Sequence, residues 1–480
     1  MSMTNLSFIL YFLPAMLVVY FILSFSVKAQ NLWLVISSLA FYTLGNYVYV
    51  PLLVFMTGLN YFMARLTHIR RQKEVPIKAV VCLAVAANLL PLFIFRYLGP
   101  LMDSVLGLFG AEAPEMPTAP LGIAFLALQG ISYVADIARG KVQWDKNPIN
   151  ACLYLVFFPF MQAGPLLRHH EVAAQLEHRK FHLGSALEGV CRLVVGLGKV
   201  IILGSPLLRV ADIVFERSSN SGIYTAVPVS LALLGLAALT IGSYHYLSGF
   251  SDLVMGLGGI LGFAYPENFN YPVLASSMIL FWKRSYISMV AWFEEYVYLP
   301  LGKRRSNNDH MVLHLMIMWM LIGIWLGPGI PNIIFGFISF MVILIEHIVE
   351  LPEKESKNPL RHLYVIFAVL LSLIALKSES MYQFATFIGN LFGMRNNGFP
   401  SEMAAILLHD CWSLLVVGLA ACFPISPKLR QWGQAQDGIV GKVVYALYPV
   451  AMLTIVALLF IAVAGDSYLP SQLTHLYLWR

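Results

Sequence analysis

Residues 224–246 read YTAVPVSLALLGLAALTIGSYHY, from Tyr224 to Tyr246, with no Asp, Glu, Lys or Arg among them. A helix that crosses a bilayer needs about 20 predominantly apolar residues, and this run supplies them. Polarity returns at once in the following Leu-Ser-Gly-Phe-Ser-Asp252. Working outward, comparable runs occur at 8–25, 32–48, 51–66, 77–98, 121–137 and 186–203, then at 311–326, 330–349, 363–376, 403–423 and 443–464. Shorter, Gly- and Pro-interrupted apolar stretches at 101–109, 151–167, 253–263 and 273–290 suit re-entrant or broken helices. Such backbone is tolerated at membrane depth only inside protein or along a cavity. The pattern predicts an all-α polytopic membrane protein of about a dozen transmembrane helices, with residues 1–480 forming one membrane domain.

Composition agrees. Of 480 residues, 59% are hydrophobic and 12% charged, whereas a soluble domain carries about 25% charge. A soluble enzyme, a disordered chain and a disulfide scaffold are excluded. The excess of 31 Lys+Arg over 25 Asp+Glu, +6, is too small and too scattered for nucleic acid. The five cysteines, Cys82, Cys152, Cys191, Cys411 and Cys422, form no CxxC pair and read as small buried hydrophobes. The first run has no basic residues before it and no small-residue cleavage site after it, so it reads as a retained helix. Lys28, the group Arg65, Arg70, Arg71 and Lys73, and the group Arg139, Lys141 and Lys146 follow alternate runs, while the loop at 111–120 holds Glu112 and Glu115. The positive-inside rule puts the basic loops in the cytoplasm and the N-terminus outside.

Ionisable residues inside such runs are costly and mark functional sites by default. Helical spacing places His245, Ser248 and Asp252 within about a 60° arc, a stripe that could bind a polar substrate or simply bond neighbouring helices, and one whose alignment a helix break at Gly249 could spoil. In Phe281-Trp-Lys-Arg-Ser-Tyr-Ile-Ser288, Lys283 and Arg284 could meet a phosphate-bearing group or mark the cytoplasmic interface. The segment Phe157-Phe-Pro-Phe-Met-Gln-Ala-Gly-Pro-Leu-Leu-Arg168 reads as a re-entrant hairpin presenting Gln162 and Arg168. His169 and His170 read as surface histidines. His310 and His314 share a helix face, but no carboxylate follows at zinc-hydrolase spacing, and no metal site is expected. His409-Asp410 reads as a hydrogen-bonded couple or end-capping polarity. The absence of GxSxG, Walker and dinucleotide motifs weighs against a hydrolase and against a pump with its own ATPase.

Set in order, several motifs resemble the membrane-bound O-acyltransferase family, in its bacterial branch of alginate O-acetylase and the D-alanyl-transfer membrane protein. They are Phe12-Leu-Pro14, Gln30-Asn-Leu-Trp33, Pro120-Leu-Gly-Ile123, Ile131-Ser-Tyr133 with Asp136, Phe157-Phe-Pro159, and Ala163-Gly-Pro165 with Arg168. The most specific are Ser248-Gly-Phe-Ser-Asp252, Gly256, Leu261-Gly-Phe263, Pro266-Glu-Asn-Phe-Asn-Tyr-Pro272, Phe281-Trp282, Arg284, Ile287-Ser288 and Tyr298-Leu-Pro-Leu-Gly302. The resemblance covers nearly the whole chain, with its core at about 120–350. It implies a ring of helices around a central tunnel, where a cytoplasmic acyl donor (acyl-CoA or an acyl-carrier-protein thioester) meets an acceptor from the other side. It also implies short acyl groups, acetyl or D-alanyl, and a membrane or extracytoplasmic partner protein of a glycan-modification system. Gln162, Gly164, Pro165, Arg168, Ser248, Asp252, Trp282, Lys283, Arg284 and Trp325 are then the expected tunnel or substrate-lining residues.

The chain departs from the pattern where the chemistry lies. A histidine is expected after Phe-Trp-x-Arg-x, and Tyr286 stands there; the hallmark histidine after Gly323-Ile-Trp325 is Leu326; a further one aligns with Ser339. Gly327 and Gly336 are retained. A general base must accept the acceptor hydroxyl's proton near neutral pH; leucine cannot, and tyrosine titrates near 10. Three readings follow. The first is an inner-membrane protein taking part in O-acylation of an envelope or exopolysaccharide glycan through an atypical centre, with His245 or His314 as substitute base. The second is a catalytically inactive member acting as scaffold, acyl conduit or lipid-handling partner. The third is a transporter or flippase, for which no internal repeats speak.

Overall fold

The computed structural model describes residues 3–111, 114, 116–161, 164–219, 227–302, 310–351, 354–395, 397–435 and 439–464. The chain is an all-α polytopic membrane protein: among the described residues, eight helical stretches are long and apolar enough to cross a bilayer. The elements used below are α1 (Leu13–Ile22), α2 (Val27–Asn46), α3 (Val50–Gln72), α4 (Lys78–Arg96), α5 (Ile123–Arg139), α6 (His169–Glu177), α7 (Leu183–Gly198), α8 (Ser205–Ser219), α9 (Val229–Ile260), α10 (Met278–Trp282), α11 (Ile287–Phe293), α12 (Met311–Leu326), α13 (Ile330–Ile348), α14 (Pro359–Lys377), α15 (Glu402–Ala421) and α16 (Ile439–Ala464).

At the centre lies α5, whose residues from Ile123 to Ile137 are all buried. A helix apolar on every side belongs inside a bundle. On α4 the buried residues recur every fourth position, Val80, Ala84, Asn88, Leu92 and Arg96, one face turned to α5. Within that seam the amides of Asn60 on α3 and Asn88 on α4 exchange two hydrogen bonds of 2.8 and 2.7 Å. They lie over Gly130 of α5, where an added Cβ would fall 2.2 Å from the Asn88 oxygen. Small residues and amides of this kind join helices where lipid supplies no hydrophobic drive.

One expectation needs correction. Stretches 224–246 and 253–263 read as separate elements, with Gly249 as a break between them, yet α9 runs unbroken for 32 residues. The glycines serve packing instead: a Cβ on Gly249 would sit 2.9 Å from the Gly196 carbonyl, and one on Gly256 2.7 Å from that of Gly189. Thus α7 and α9 cross backbone to backbone. A π-helical segment, Lys199–Gly204, then links α7 to α8.

Two of the four interrupted stretches are broken, as read, whereas 101–109 belongs largely to a continuous helix, Leu98–Gly107. Pro148–Val156 is a short helix, Phe158–Met161 a 3-10 turn, and 164–167 buried irregular chain. Residues 273–290 contain α10, an irregular turn and the start of α11. The 16 residues of α12 rise about 24 Å, short of the roughly 30 Å of hydrocarbon, so α12 ends at Leu326 inside the protein.

Candidate functional site

The turn between α10 and α11 is fixed by Asn268, which is wholly buried. Its Oδ1 accepts from the Ser288 amide at 3.0 Å and from Ser288 Oγ at 2.8 Å, its Nδ2 donates to Ser251 Oγ at 2.9 Å, and its carbonyl accepts from the Ile287 amide at 3.0 Å. These bonds hold Tyr286 at φ 49°, ψ 47°, a left-handed conformation costly for a bulky residue. The turn thereby packs Trp282 against Trp319 and Phe335, with ring centroids 5.0 and 5.8 Å apart.

Opposite this turn is the end of α12. Trp325 donates from Nε1 to the Ala124 carbonyl of α5 at 3.3 Å and stands edge-on to Phe125. Leu326 gives its carbonyl to the guanidinium of Arg96, and the Tyr97 hydroxyl donates to the Ile324 carbonyl at 2.5 Å. Between turn and helix end lies a cavity of about 90 Å³. Its wall includes Trp282, Tyr286, Trp325, Leu326, Phe335 and a stripe of α14 from Val369 to Leu376; Ser285 and Ser372 also line it, but the surface turned to the space is apolar. The Trp282 Nε1 and Tyr286 hydroxyl are buried, have no partner among the described residues, and do not open onto the cavity.

No family model matches the sequence. Curated proteins do. The probable alginate O-acetylase AlgI of Pseudomonas putida is 29% identical over 392 residues, 80% of this chain and 79% of that protein. The peptidoglycan O-acetyltransferase of Helicobacter pylori is 27% identical over 369 residues, 70% and 69% of the two chains. The teichoic acid D-alanyltransferase of Bacillus subtilis is 23% identical over 295 residues, 58% and 70%. These relatives indicate the membrane-bound O-acyltransferase family.

Within this O-acyltransferase scaffold, two of the three residues at the expected histidine positions, Tyr286 and Leu326, meet on one cavity wall with Trp282 and Trp325. Ser339 does not: it lies on α13, wholly buried, its Oγ without a partner among the described residues. His245 is buried on α9 and donates from Nε2 to the Gly418 carbonyl of α15 at 2.8 Å; it is not on the cavity wall. His314, near the start of α12, stands beside His310 with ring centroids 6.3 Å apart, also off the wall. Asp252 is held by Arg192 at 2.9 Å and Lys199 at 2.6 Å. Ser248 is buried beside it on α9. The stripe read from 243–252 therefore divides between α15 and α7.

Gly164 and Pro165 are buried off the cavity wall. Gln162 lies outside the described residues. Lys283 is exposed, and Arg284 pairs with Glu355 of the loop after α13.

A second polar centre forms where α5, α6 and the π segment Glu294–Tyr298 meet. Asp136, wholly buried, accepts from the His170 amide at 2.9 Å, lies 3.0 Å from His170 Nδ1 and accepts from the Tyr296 hydroxyl at 2.7 Å. Arg168 binds Glu295 at 2.6 Å and Glu171 at 2.5 Å; Lys141 also binds Glu295. Burial works to raise the Glu295 carboxyl, but Lys141, Arg168 and His170 outweigh it and hold it below its ordinary value. Asp136, His170 and Glu295 offer ligand atoms within 4.8 Å of one another, yet the cations already on Glu295 oppose a metal there.

His169 departs from its surface reading. It is buried, its ring edge-on to Tyr133 at 4.7 Å and Tyr154 at 5.0 Å. Burial, with His170 alongside, pushes its imidazole down to about 3. Arg96, Asn60, Asn88 and Glu295 were not singled out in sequence; the first three are polar side chains within apolar runs, and Glu295 is one of an adjacent pair with Glu294.

Proposed function

We propose that this chain is a bacterial inner-membrane protein, N-terminus outside, that takes part in O-acylation of a cell-envelope or exopolysaccharide glycan without itself carrying out base-catalysed transfer. The acyl group is acetyl or D-alanyl, and the chain works with a membrane or extracytoplasmic partner protein. Support for the process comes from relatives named alginate O-acetylase, peptidoglycan O-acetyltransferase and teichoic acid D-alanyltransferase. The observation that carries the non-transferring role is the cavity wall itself. Leu326 and Tyr286 occupy the family's histidine positions there, and no imidazole or carboxylate shares the wall with them.

A second reading keeps transfer and moves the base. It is favoured by one observation: His245 Nδ1 is buried and has no partner among the described residues, leaving a lone pair that could take a proton. In that case an acyl-CoA or acyl-carrier-protein thioester is the donor.

The test measures O-acyl esters on the envelope glycan of a strain lacking this chain, complemented by wild type or by Leu326→Ala, His245→Ala or His314→Ala. Under the proposed reading the deletion loses the ester and His245→Ala and His314→Ala restore it as wild type does. Loss confined to one of these histidine variants selects the second reading. An unchanged ester level in the deletion strain removes both.

A further inference from the structure

We propose that the chain forms a two-fold dimer in the membrane through α15, in which His409 of each copy bonds Asp410 of the other.

The pair lies where a bilayer should not tolerate it. α15 is long and apolar enough to cross a membrane, and its start is capped by Ser401, whose Oγ accepts from the Ala404 amide at 3.2 Å. His409 is therefore no cap. It stands within the helix, about 10 Å from Glu402 and about 18 Å from Ala421 along the axis. His409 and Asp410 approach each other only at 3.5 Å, and their side chains are 88% and 68% exposed. Ionisable groups at such depth face protein or water rather than lipid.

The rest of the helix shows which way they point. The buried residues of α15 are Ala404, Cys411 and Gly418, and Gly418 lies against Ile241 and His245 of α9. At 100° per residue this seam is about 130–170° from the line midway between His409 and Asp410. The pair thus faces away from the bundle. Along that midline run Ile406, Ser413, Val417 and Ala420, all exposed. Its small members, Ser413 and Ala420, let a second backbone approach closely.

Symmetry names the occupant. Two copies inserted in the same orientation are related by an axis along the membrane normal, so equivalent residues stay at one depth. In parallel helices packed on this midline, each flank faces the opposite flank of the partner, as e and g positions do in a coiled coil. His409 and Asp410 lie about 50° to either side of the midline, offset by about 1.5 Å along the axis. His409 then meets the partner's Asp410, and Asp410 the partner's His409. Two imidazole–carboxylate hydrogen bonds close the interface and leave neither group facing lipid. A partner of unrelated sequence would have to bring both a carboxylate and a donor to that depth, whereas a second copy carries both.

The experiment is single-molecule photobleaching of the full-length chain, carrying a C-terminal fluorescent tag, in liposomes over a range of protein-to-lipid ratios. Wild type is expected to bleach in two steps at ratios where His409→Leu alone and Asp410→Leu alone bleach in one. The dissociation point of each variant should shift by about tenfold. Mixing the variants gives the decisive arm. The His409→Leu copy keeps Asp410, the Asp410→Leu copy keeps His409, and together they rebuild one of the two bonds. Tagged in two colours, they should co-localise where neither dimerises alone, which also shows that both are folded. A wild type that is monomeric at every ratio, leaving the pair to a partner of other sequence, overturns the proposal. Single variants that dimerise as wild type does, or a mixture no better than its components, overturn it equally. Glycan acylation does not enter this measurement, so failure here leaves the proposed function standing.

Discussion

The guanidinium of Arg96, nearly wholly buried on α4, donates to the backbone carbonyl of Leu326, the residue found where the resemblance leads one to expect the hallmark histidine. The last carbonyls of a helix lack intrahelical partners, and a cation there also meets the negative end of the helix dipole. Arg96 and Tyr97 thus fix the depth at which α12 stops, and with it the position of Leu326 on the cavity wall. Arg96→Ala is expected to cost about 2 kcal/mol, the range for hydrogen bonds to charged groups. It should lower the thermal unfolding temperature in detergent by several degrees, with Arg96→Lys falling between.

Replacing the hallmark leucine tests the wall. Leu326→His puts an imidazole against apolar surface and is expected to destabilise by about 1–3 kcal/mol. It should not confer acyl transfer, since Tyr286 and Ser339 bring no second imidazole to the site. Thermal unfolding and a labelled-donor assay on the purified variant check the two halves.

The Asn60–Asn88 pair gives a prediction for the bundle. Asn88→Leu strands the Asn60 amide against Gly130, whereas Asn60→Leu with Asn88→Leu removes both polar partners. The double variant should therefore be less destabilised than the sum of the singles. The coupling expected from a double-mutant cycle is about 0.6 kcal/mol, reaching about 1.7 for a strong pair.

His169 makes stability depend on pH. Its imidazole falls from 6.5 in the unfolded chain to about 3 when folded, so between those values the unfolded chain binds the extra proton and unfolding gains as pH falls. The sign follows: stability from this group is complete above about pH 6.5 and declines below it by about 1.4 kcal/mol per pH unit. Unfolding temperatures measured from pH 7 to pH 5 should drop in wild type and drop less steeply in His169→Phe. The depressed Glu295 carboxyl acts in the same direction only below its ordinary value of 4.5, outside that window.

Much of this architecture is legible in the sequence, because spanning helices carry a composition signal that survives without tertiary information. The runs at 77–98 and 330–349 match α4 and α13 to within a few residues. Gly249 was misread because local propensity sees only a helix breaker, while its cause is the backbone of α7 a few ångströms away. The ordered motifs carried Tyr286 and Leu326, and the fold brings them to one cavity. What periodicity could not reveal is which polar groups face which neighbour. His245, Ser248 and Asp252 share a face of α9, yet His245 bonds Gly418 and Asp252 bonds Arg192. His169 and His170 are adjacent in sequence, but one is sealed between tyrosines and the other faces Asp136.

The central claim is that this member of an acyltransferase family holds an apolar cavity where its relatives are expected to place imidazoles, and so does not transfer acyl groups itself. The most direct measurement is turnover of a radiolabelled acetyl thioester by the purified full-length chain, with and without acceptor glycan, beside the His245→Ala and His314→Ala variants. The account predicts no acyl-enzyme, no donor hydrolysis and no transfer above background in all three proteins. Donor turnover by wild type that disappears in His245→Ala or His314→Ala would contradict it.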